Sequence, residues 1–469
     1  MHLSVVRQEC PTAYGGCQCH MRGAATPIDA FRPTVQTGCM ERPRQAAQQP
    51  ETGGSRGQCA SHRHGTSVSS TPMVATRHRP KQVHPFPARM APELALAALE
   101  SAPDDAVVLD PMCGSGTVLQ HAREQGMSAF GFDIDPLAIL VTRVTCTRVD
   151  ADHLQRAAER LVDDAHDTRT AALPWIDADA STSAFVDFWF HPQQQAQLRR
   201  LAALLHNRRG KIADVLRVAL SRTIITKDAG ASRARDVSHS RPHRVRDTND
   251  YDVYKGFLQA VRKIAPLIDT PTLGKVSVAR RDARRLPASL NGHIDLVITS
   301  PPYLNAIDYM RGHRMSLVWL GYQVGHLTQL RSNSVGAERY PDHALGSRSL
   351  RAPRYRGLSP KQQGMLDRYA SDASALMGQL ARVLSTRGEA VVVVGDSTLS
   401  GTYVRNSLII QKAAEQSGLA LTDKQARPLP TSSRYLPPPA STSGALSKRM
   451  RHEVVMRFGR PTNARRGHG

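Results

Sequence analysis

Val107-Val108-Leu109-Asp110-Pro111-Met112-Cys113-Gly114-Ser115-Gly116-Thr117 is the stretch that decides the fold. Its first three residues are apolar and two are β-branched, the pattern of a short buried strand. Pro111 cannot donate to a ladder, so the strand ends at Asp110. Gly114 and Gly116 let the backbone approach a ligand closely. A helix follows from Thr117 to about Gln125. Strand, glycine turn and helix form the first unit of a nucleotide-binding α/β sheet. A second strand, 129–132, ends at Asp133, where an acid typically holds ribose hydroxyls. Asp135 precedes Pro136 and reads as a helix cap, which leaves Asp133 as the preferred ribose acid. A bare Gly-x-Gly is weak; the ordered series is much more specific.

Downstream, Thr299-Ser300-Pro301-Pro302-Tyr303 follows Ile294-Asp295-Leu296-Val297-Ile298, which reads as a buried parallel strand. Two prolines force the chain out of the sheet and present a hydroxyl, free carbonyls and a flat ring. Taken alone, a rigid corner with a packed Tyr explains this better. On a sheet that also carries a glycine loop the binding reading wins, because open α/β sheets bind ligands at the carboxyl ends of their strands. Further strands are expected at 275–279, ending near Asp282, at 390–395, and at about 419–422 and 452–458. Helices are expected within 84–99 and at about 150–169, 193–207, 211–225, 251–268, 308–320, 363–384 and 402–416, with a basic loop over 331–356. The helices between the second and third strands interrupt the sheet.

The chain therefore divides into five parts. Residues 1–72 are a basic segment expected to be disordered, and Met73 is a candidate for the true start. Residues 73–149 hold the glycine loop, and 150–274 form a basic helical insertion. Residues 275–460 carry the Ser-Pro-Pro-Tyr corner, and 461–469 are a basic tail.

Over 469 residues the net charge is +22 and the pI about 10.3, so a polyanion, first of all nucleic acid, is the expected partner. Residues 208–246 hold eleven Lys or Arg against three acids. A solvated face and phosphate contact explain that run equally well; Arg233, Arg235, Arg241 and Arg244 are the candidate contacts. No apolar run approaches the roughly 20 residues of a membrane span, and no signal-peptide pattern opens the chain. A soluble, intracellular protein is expected. The seven cysteines are odd in number, with five in the first 60 residues, so no disulfide framework is expected. Cys17-Gln18-Cys19-His20 lacks a second ligand pair, so no metal is expected.

Asp110-Pro-Met-Cys-Gly-Ser-Gly-Thr117 together with Thr299-Ser-Pro-Pro-Tyr303 resembles the amino-group DNA methyltransferases, which methylate the exocyclic amine of cytosine or adenine. The resemblance implies a Rossmann-like, doubly wound seven-stranded sheet with a helical insertion, and S-adenosylmethionine as cofactor. Phe86, in His84-Pro-Phe-Pro87, is similar to the segment that lies over the cofactor's methionine part. Asp110, Pro111, Cys113, Gly114 and Gly116 match the cofactor loop, Asp133 the ribose acid and Asp282 the acid near adenine. Ser300, Pro301, Pro302 and Tyr303 match the catalytic loop. The family usually has Phe where this chain has Met112, and the insertion departs from the usual motif order. Ser-Pro-Pro-Tyr is similar to the cytosine-N4 branch; adenine enzymes more often carry Asp or Asn at the serine.

The resemblance further implies double-stranded DNA as partner, a cognate restriction endonuclease as a candidate partner on a separate chain, and a cytoplasmic, nucleoid-associated location of prokaryotic type. Adenine N6 is the alternative target. An RNA base methyltransferase and a DNA-binding protein without catalysis are the remaining readings. The chemistry fits the residues. A base amine is a poor nucleophile until its hydrogens are accepted, which Ser300 Oγ and the Pro301 carbonyl can do, while Tyr303 offers a stacking face to a rotated base. No covalent adduct is needed, so Cys113 is not expected to act as a nucleophile.

Overall fold

The computed structural model describes residues 82–86, 90–169, 171–226, 229–235, 243–269, 273–304, 309–337, 350–399, 401–428 and 452–461. The strands are β1 (Val107–Asp110), β2 (Ser128–Asp133), β3 (Ala234–Arg235), β4 (His243–Arg244), β5 (Val276–Arg280), β6 (Ile294–Thr299), β7 (Leu384–Gly395), β8 (Ser397–Leu399), β9 (Thr402–Val404), β10 (Ala420–Pro428) and β11 (His452–Gly459). Seven of them form one sheet in the order β10-β11-β7-β6-β1-β2-β5. Its members pair in parallel except β11, which is antiparallel to both of its neighbours.

The helices are α1 (Pro92–Glu100), α2 (Thr117–Glu124), α3 (Pro136–Thr145), α4 (Ala151–Asp167), α5 (Pro174–Asp177), α6 (Ala180–Trp189), α7 (Pro192–His206), α8 (Lys211–Ile224), α9 (Val253–Ile268), α10 (Tyr309–Leu317), α11 (Val324–Ser332), α12 (Pro360–Val383) and α13 (Asn406–Gln416). The strands alternate between two buried faces, as buried parallel strands must when helices cover both sides. Val108, Leu296, Ile298 and Val391 pack with Leu99 of α1 and Leu119 of α2. Leu109, Val297, Ala390 and Val392 pack with α12 and α13 through Leu376, Leu380, Ile409 and Ile410.

Helices α4 to α9 lie between β2 and β5 in the chain and build a third core. That core is not separate from the sheet's own helices. It takes in Leu137, Leu140 and Val144 of α3 and Met310, Met315 and Leu317 of α10. Trp175 Nε1 donates to the Val318 carbonyl at 2.8 Å, and the Val324 amide donates to Thr182 Oγ1 at 3.0 Å. The rings of Phe190 and Trp319 meet edge to face at 5.0 Å.

Several elements differ from expectation. The helix expected at 402–416 starts at Asn406, because Ser397 to Val404 folds as a β8–β9 hairpin turning at Gly401, φ 86°. The long helix starts early, at Pro360, where Ser359 and Gln362 form a capping box. α5, α6 and α11 were not expected. Residues 1–72, the tail beyond 461, residues 338–349 and Arg241 lie outside the described residues. Among the described residues no helix is long and apolar enough to cross a membrane.

Candidate functional site

The chain places β1, β2 and β5 on one side of a crossover and β6 and β7 on the other, so β1 and β6 are parallel neighbours at the switch point of the sheet. Open α/β sheets form their ligand crevice there, outside the carboxyl ends of the strands. Asp110 ends β1 and Thr299 ends β6. Thr299 Oγ1 donates to Asp110 Oδ1 at 3.0 Å, and the Met112 amide donates to the same oxygen at 3.1 Å. Burial pushes the Asp110 carboxyl up to about 7; the two hydrogen bonds oppose the rise and the nearby Asp133 charge adds to it. The glycine loop and the Ser-Pro-Pro-Tyr corner are thus tied together by one buried bond.

The glycine loop is held from behind. The Cys113 amide donates to the Phe132 carbonyl at 2.9 Å, and the Gly114 amide donates to Asp133 Oδ2 at 3.0 Å. Thr142 Oγ1 of α3 donates to the Gly114 carbonyl at 2.8 Å. Gly116 has φ +83°, and a Cβ there would sit 2.9 Å from Thr142 Cγ2 and 3.2 Å from its Cα, so the position requires glycine. No side chain caps α2 behind it, which leaves the helix's first amides and its partial positive charge at the loop. Cys113 turns its thiol inward, 3.6 Å from Thr142 Oγ1, and burial pushes it well above the usual thiol range. An inert packed thiol follows.

Asp133 and Asp135 divide their work. Asp135 caps α3 by accepting from the Leu137 amide at 2.8 Å and pairs its other oxygen with His313 Nδ1 of α10. Asp133 accepts from the amides of Gly114 and Asp135; burial first, then the Asp135 charge, push its carboxyl up to about 6. Phe86 lies against the loop: a Cβ on Gly114 would be 3.3 Å from Phe86 Cε1. The segment before Phe86 is fastened to α8, where Arg222 Nη1 donates to the carbonyls of Gln82 (2.9 Å) and Val83 (2.8 Å). His84 Nε2 contacts Ser221 Oγ at 2.8 Å. Burial, then the charges of His313 and Arg222, push His84 down to about 3, so it is neutral.

Asp282 follows β5 and is already engaged. Arg284 reaches it through Nε at 3.0 Å and Nη2 at 2.7 Å, and also contacts Asp372 and the Asn333 carbonyl. Burial opposes ionisation of Asp282, but the hydrogen bonds from Arg284 outweigh it and hold the carboxyl below its usual range. A ligand at Asp282 would share it with Arg284.

At the corner, Pro301 is buried while Ser300, Pro302 and Tyr303 are half-buried. Ser300 Oγ lies 3.4 Å from the Tyr303 hydroxyl. That hydroxyl also hydrogen-bonds Glu453 of β11, whose carboxyl is raised by burial and pulled back by Arg427 and Tyr303. Ser397 Oγ donates to the Leu304 carbonyl at 2.7 Å and itself accepts from Asn406 Nδ2 at 2.6 Å. The corner is therefore clamped on the β7 side.

Part of the basic run is spent internally. Arg217 donates to the carbonyls of Leu205 and Arg208, Arg222 holds Gln82 and Val83, and Arg233 Nη1 lies 3.2 Å from the Asp187 carbonyl and 3.3 Å from that of Phe188. Arg244 pairs with Asp247 and lies over the Phe188 ring, 5.4 Å from its centroid. Arg235 belongs to β3. Sequence reasoning did not assign Thr299, Thr142, His313 or Glu453 to the site. Thr299 had a signal, a hydroxyl at the last position of a strand beside Ser300; the other three had none. Among the described residues no group of three or more His, Cys, Asp or Glu could hold a metal ion.

No protein-family model matches the chain. Among curated proteins, the type II methyltransferase M.MvaI of Kocuria varians is similar at 22% identity over 281 residues, 54% of this chain. The match spans 60% of that protein, less than two thirds of its length. Among solved structures, the chain is similar to a TehB-like SAM-dependent methyltransferase from Corynebacterium glutamicum (TM-score 0.26, 12% identity, 79% of this chain and 87% of that one). It is also similar to the rRNA methyltransferase aviRa from Streptomyces viridochromogenes (TM-score 0.26, 10% identity, 80% and 87%). Superpositions this loose carry no functional weight; the fold stands on strand order and pairing.

Proposed function

We propose that the chain is an S-adenosylmethionine-dependent DNA methyltransferase that acts on the exocyclic N4 amine of cytosine in double-stranded DNA. The observation that carries the reading is the Thr299–Asp110 hydrogen bond, which joins the two motifs across the switch point of the sheet. The residues fit the cofactor. The two glycines let the loop backbone lie close against Thr142 and Phe86, the first amides of α2, which no side chain caps, suit a carboxylate, and Asp133 stands at the strand end where ribose hydroxyls are held. Phe86 covers the loop from the side of α10.

The cofactor supplies an electrophilic methyl group on a sulfonium. The chain's part is to position and prepare the amine. Ser300 Oγ and the Pro301 carbonyl accept the amine's hydrogens, which returns its lone pair from the ring. Tyr303, its hydroxyl fixed by Ser300 and Glu453, presents a ring whose orientation is set before a base arrives. Similarity to a type II methyltransferase and the charge of +22 support DNA as the polymer. A restriction endonuclease on a separate chain is the partner this reading proposes.

The test is transfer of labelled methyl to duplex DNA, followed by nucleoside analysis. Label in N4-methylcytosine is expected. Label in N6-methyladenine would move the target to adenine, and label in RNA but not DNA would sink the polymer assignment.

A further inference from the structure

We propose that His313 is a positioning residue for the cofactor loop, linking the helix after the catalytic corner to the grip on Gly114. This rests on the cofactor assignment above. Two arms run from His313 to Gly114. Along the first, His313 Nδ1 pairs with Asp135 Oδ2, the Asp135 amide donates to Asp133 Oδ1 at 2.9 Å, and Asp133 Oδ2 accepts from the Gly114 amide at 3.0 Å. Along the second, the His313 ring lies against the Phe86 ring, centroids 5.0 Å apart and planes tilted by 48°. Phe86 in turn lies 3.3 Å from where a Cβ on Gly114 would be. The loop is gripped through its amide by one arm and covered by the other.

His313 is itself held firmly. It is 6% exposed on α10, between the buried Met310 and Met315. Ser316 of the same helix reaches the Ser221 carbonyl of α8 at 3.5 Å, and Ser221 Oγ contacts His84 two residues before Phe86. α10 also follows the Ser-Pro-Pro-Tyr corner in the chain. A displacement of this helix would move the Asp133–Asp135 turn and the Phe86 ring together, and both bear on the same glycine.

A buried His–Asp pair that merely fastened α10 to α3 would change stability and leave ligand affinity alone. The two roles separate in a calorimetric titration of the full chain with S-adenosylhomocysteine, alongside thermal unfolding. His313→Leu is expected to raise the dissociation constant about tenfold while the KM for DNA stays within about twofold. His313→Asn keeps a donor near the Nδ1 position and is expected to recover most of that loss. If His313→Leu does not fold, Asp135→Asn serves instead: asparagine still caps α3, the backbone amide still reaches Asp133, and the charged partner of His313 is gone. An unchanged dissociation constant in the folded variant, or an Asn variant no better than Leu, overturns the proposal. Failure of the unmodified chain to bind S-adenosylhomocysteine would instead overturn the cofactor assignment.

Discussion

Replacing Thr299 with valine removes one hydroxyl and keeps the shape of the side chain, so its effect isolates the bond between the two motifs. Thr299 is fully buried and Asp110 is 4% exposed, so water cannot replace the lost donor. Asp110 would keep only the Met112 amide. A hydrogen bond to an ionised acceptor contributes about 1.5–3 kcal/mol, and one to a neutral acceptor about 1 kcal/mol. Because Asp110 titrates near 7, its charge state is set by the experimenter. At about pH 8 it is ionised, and Thr299→Val should cost about 2 kcal/mol; at about pH 5.5 it is protonated, and the cost should fall to about 1 kcal/mol.

The background slope has a definite sign. The folded value lies above the ordinary 3.8, so the folded chain holds a proton that the unfolded chain has given up. This contribution to stability is complete below about pH 4 and is lost as the pH rises through about 7. Thr299→Val removes a donor that favours the ionised form, so it should steepen that loss. The assay is denaturant unfolding of both proteins across this range. An equal cost at both ends, or no cost at about pH 8, refutes the idea that Thr299 supports the Asp110 carboxylate.

Gly116→Ala places a Cβ against the Thr142 backbone at positive φ; it should cost at least about 2 kcal/mol and abolish S-adenosylhomocysteine binding, read by unfolding and calorimetry. Tyr303→Phe keeps the ring and should lower methyl transfer less than about tenfold, whereas Tyr303→Ala should lower it more than about a hundredfold with cofactor binding intact. Deleting 151–268 should leave an aggregating, dye-binding chain, because α3 and α10 share their core with the insertion. A soluble, cooperatively unfolding deletion product would show that the insertion is dispensable.

The site's two motifs were legible because each is local. β1 and β6 are short apolar runs that end in proline-containing turns, and period and turn chemistry suffice for them. What joins them was not legible, since Asp110 and Thr299 are 189 residues apart and only strand order makes them neighbours. His313 and Glu453 carry no local signature; packing alone brings them to the site. α6 escaped because Ser, Thr, Phe and Val are weak helix formers; Asp179, whose side chain accepts from the Thr182 amide, starts it. The beginning of β7 escaped because Ser385 to Glu389 is polar; it joins the sheet through an irregular register opposite Ile294 and Leu296. The basic run was legible as charge but not as geometry. Several of its arginines spend their donors on carbonyls, which composition cannot distinguish from phosphate contact.

The pairing of β1 with β6 also sets a timetable for biosynthesis. At about 5–20 residues per second, the ribosome needs roughly 10–40 s after making Asp110 before Thr299 exists. For most of that interval β1 has β2 along one edge and no strand along the other, where β6 will pair. The helices between 151 and 268 emerge meanwhile with mainly local partners of their own. They can condense first, so the insertion is in place as a surface against which α10, the helix after β6, packs. Slow codons or a chaperone holding the nascent chain would act in that window, before the two motifs have met.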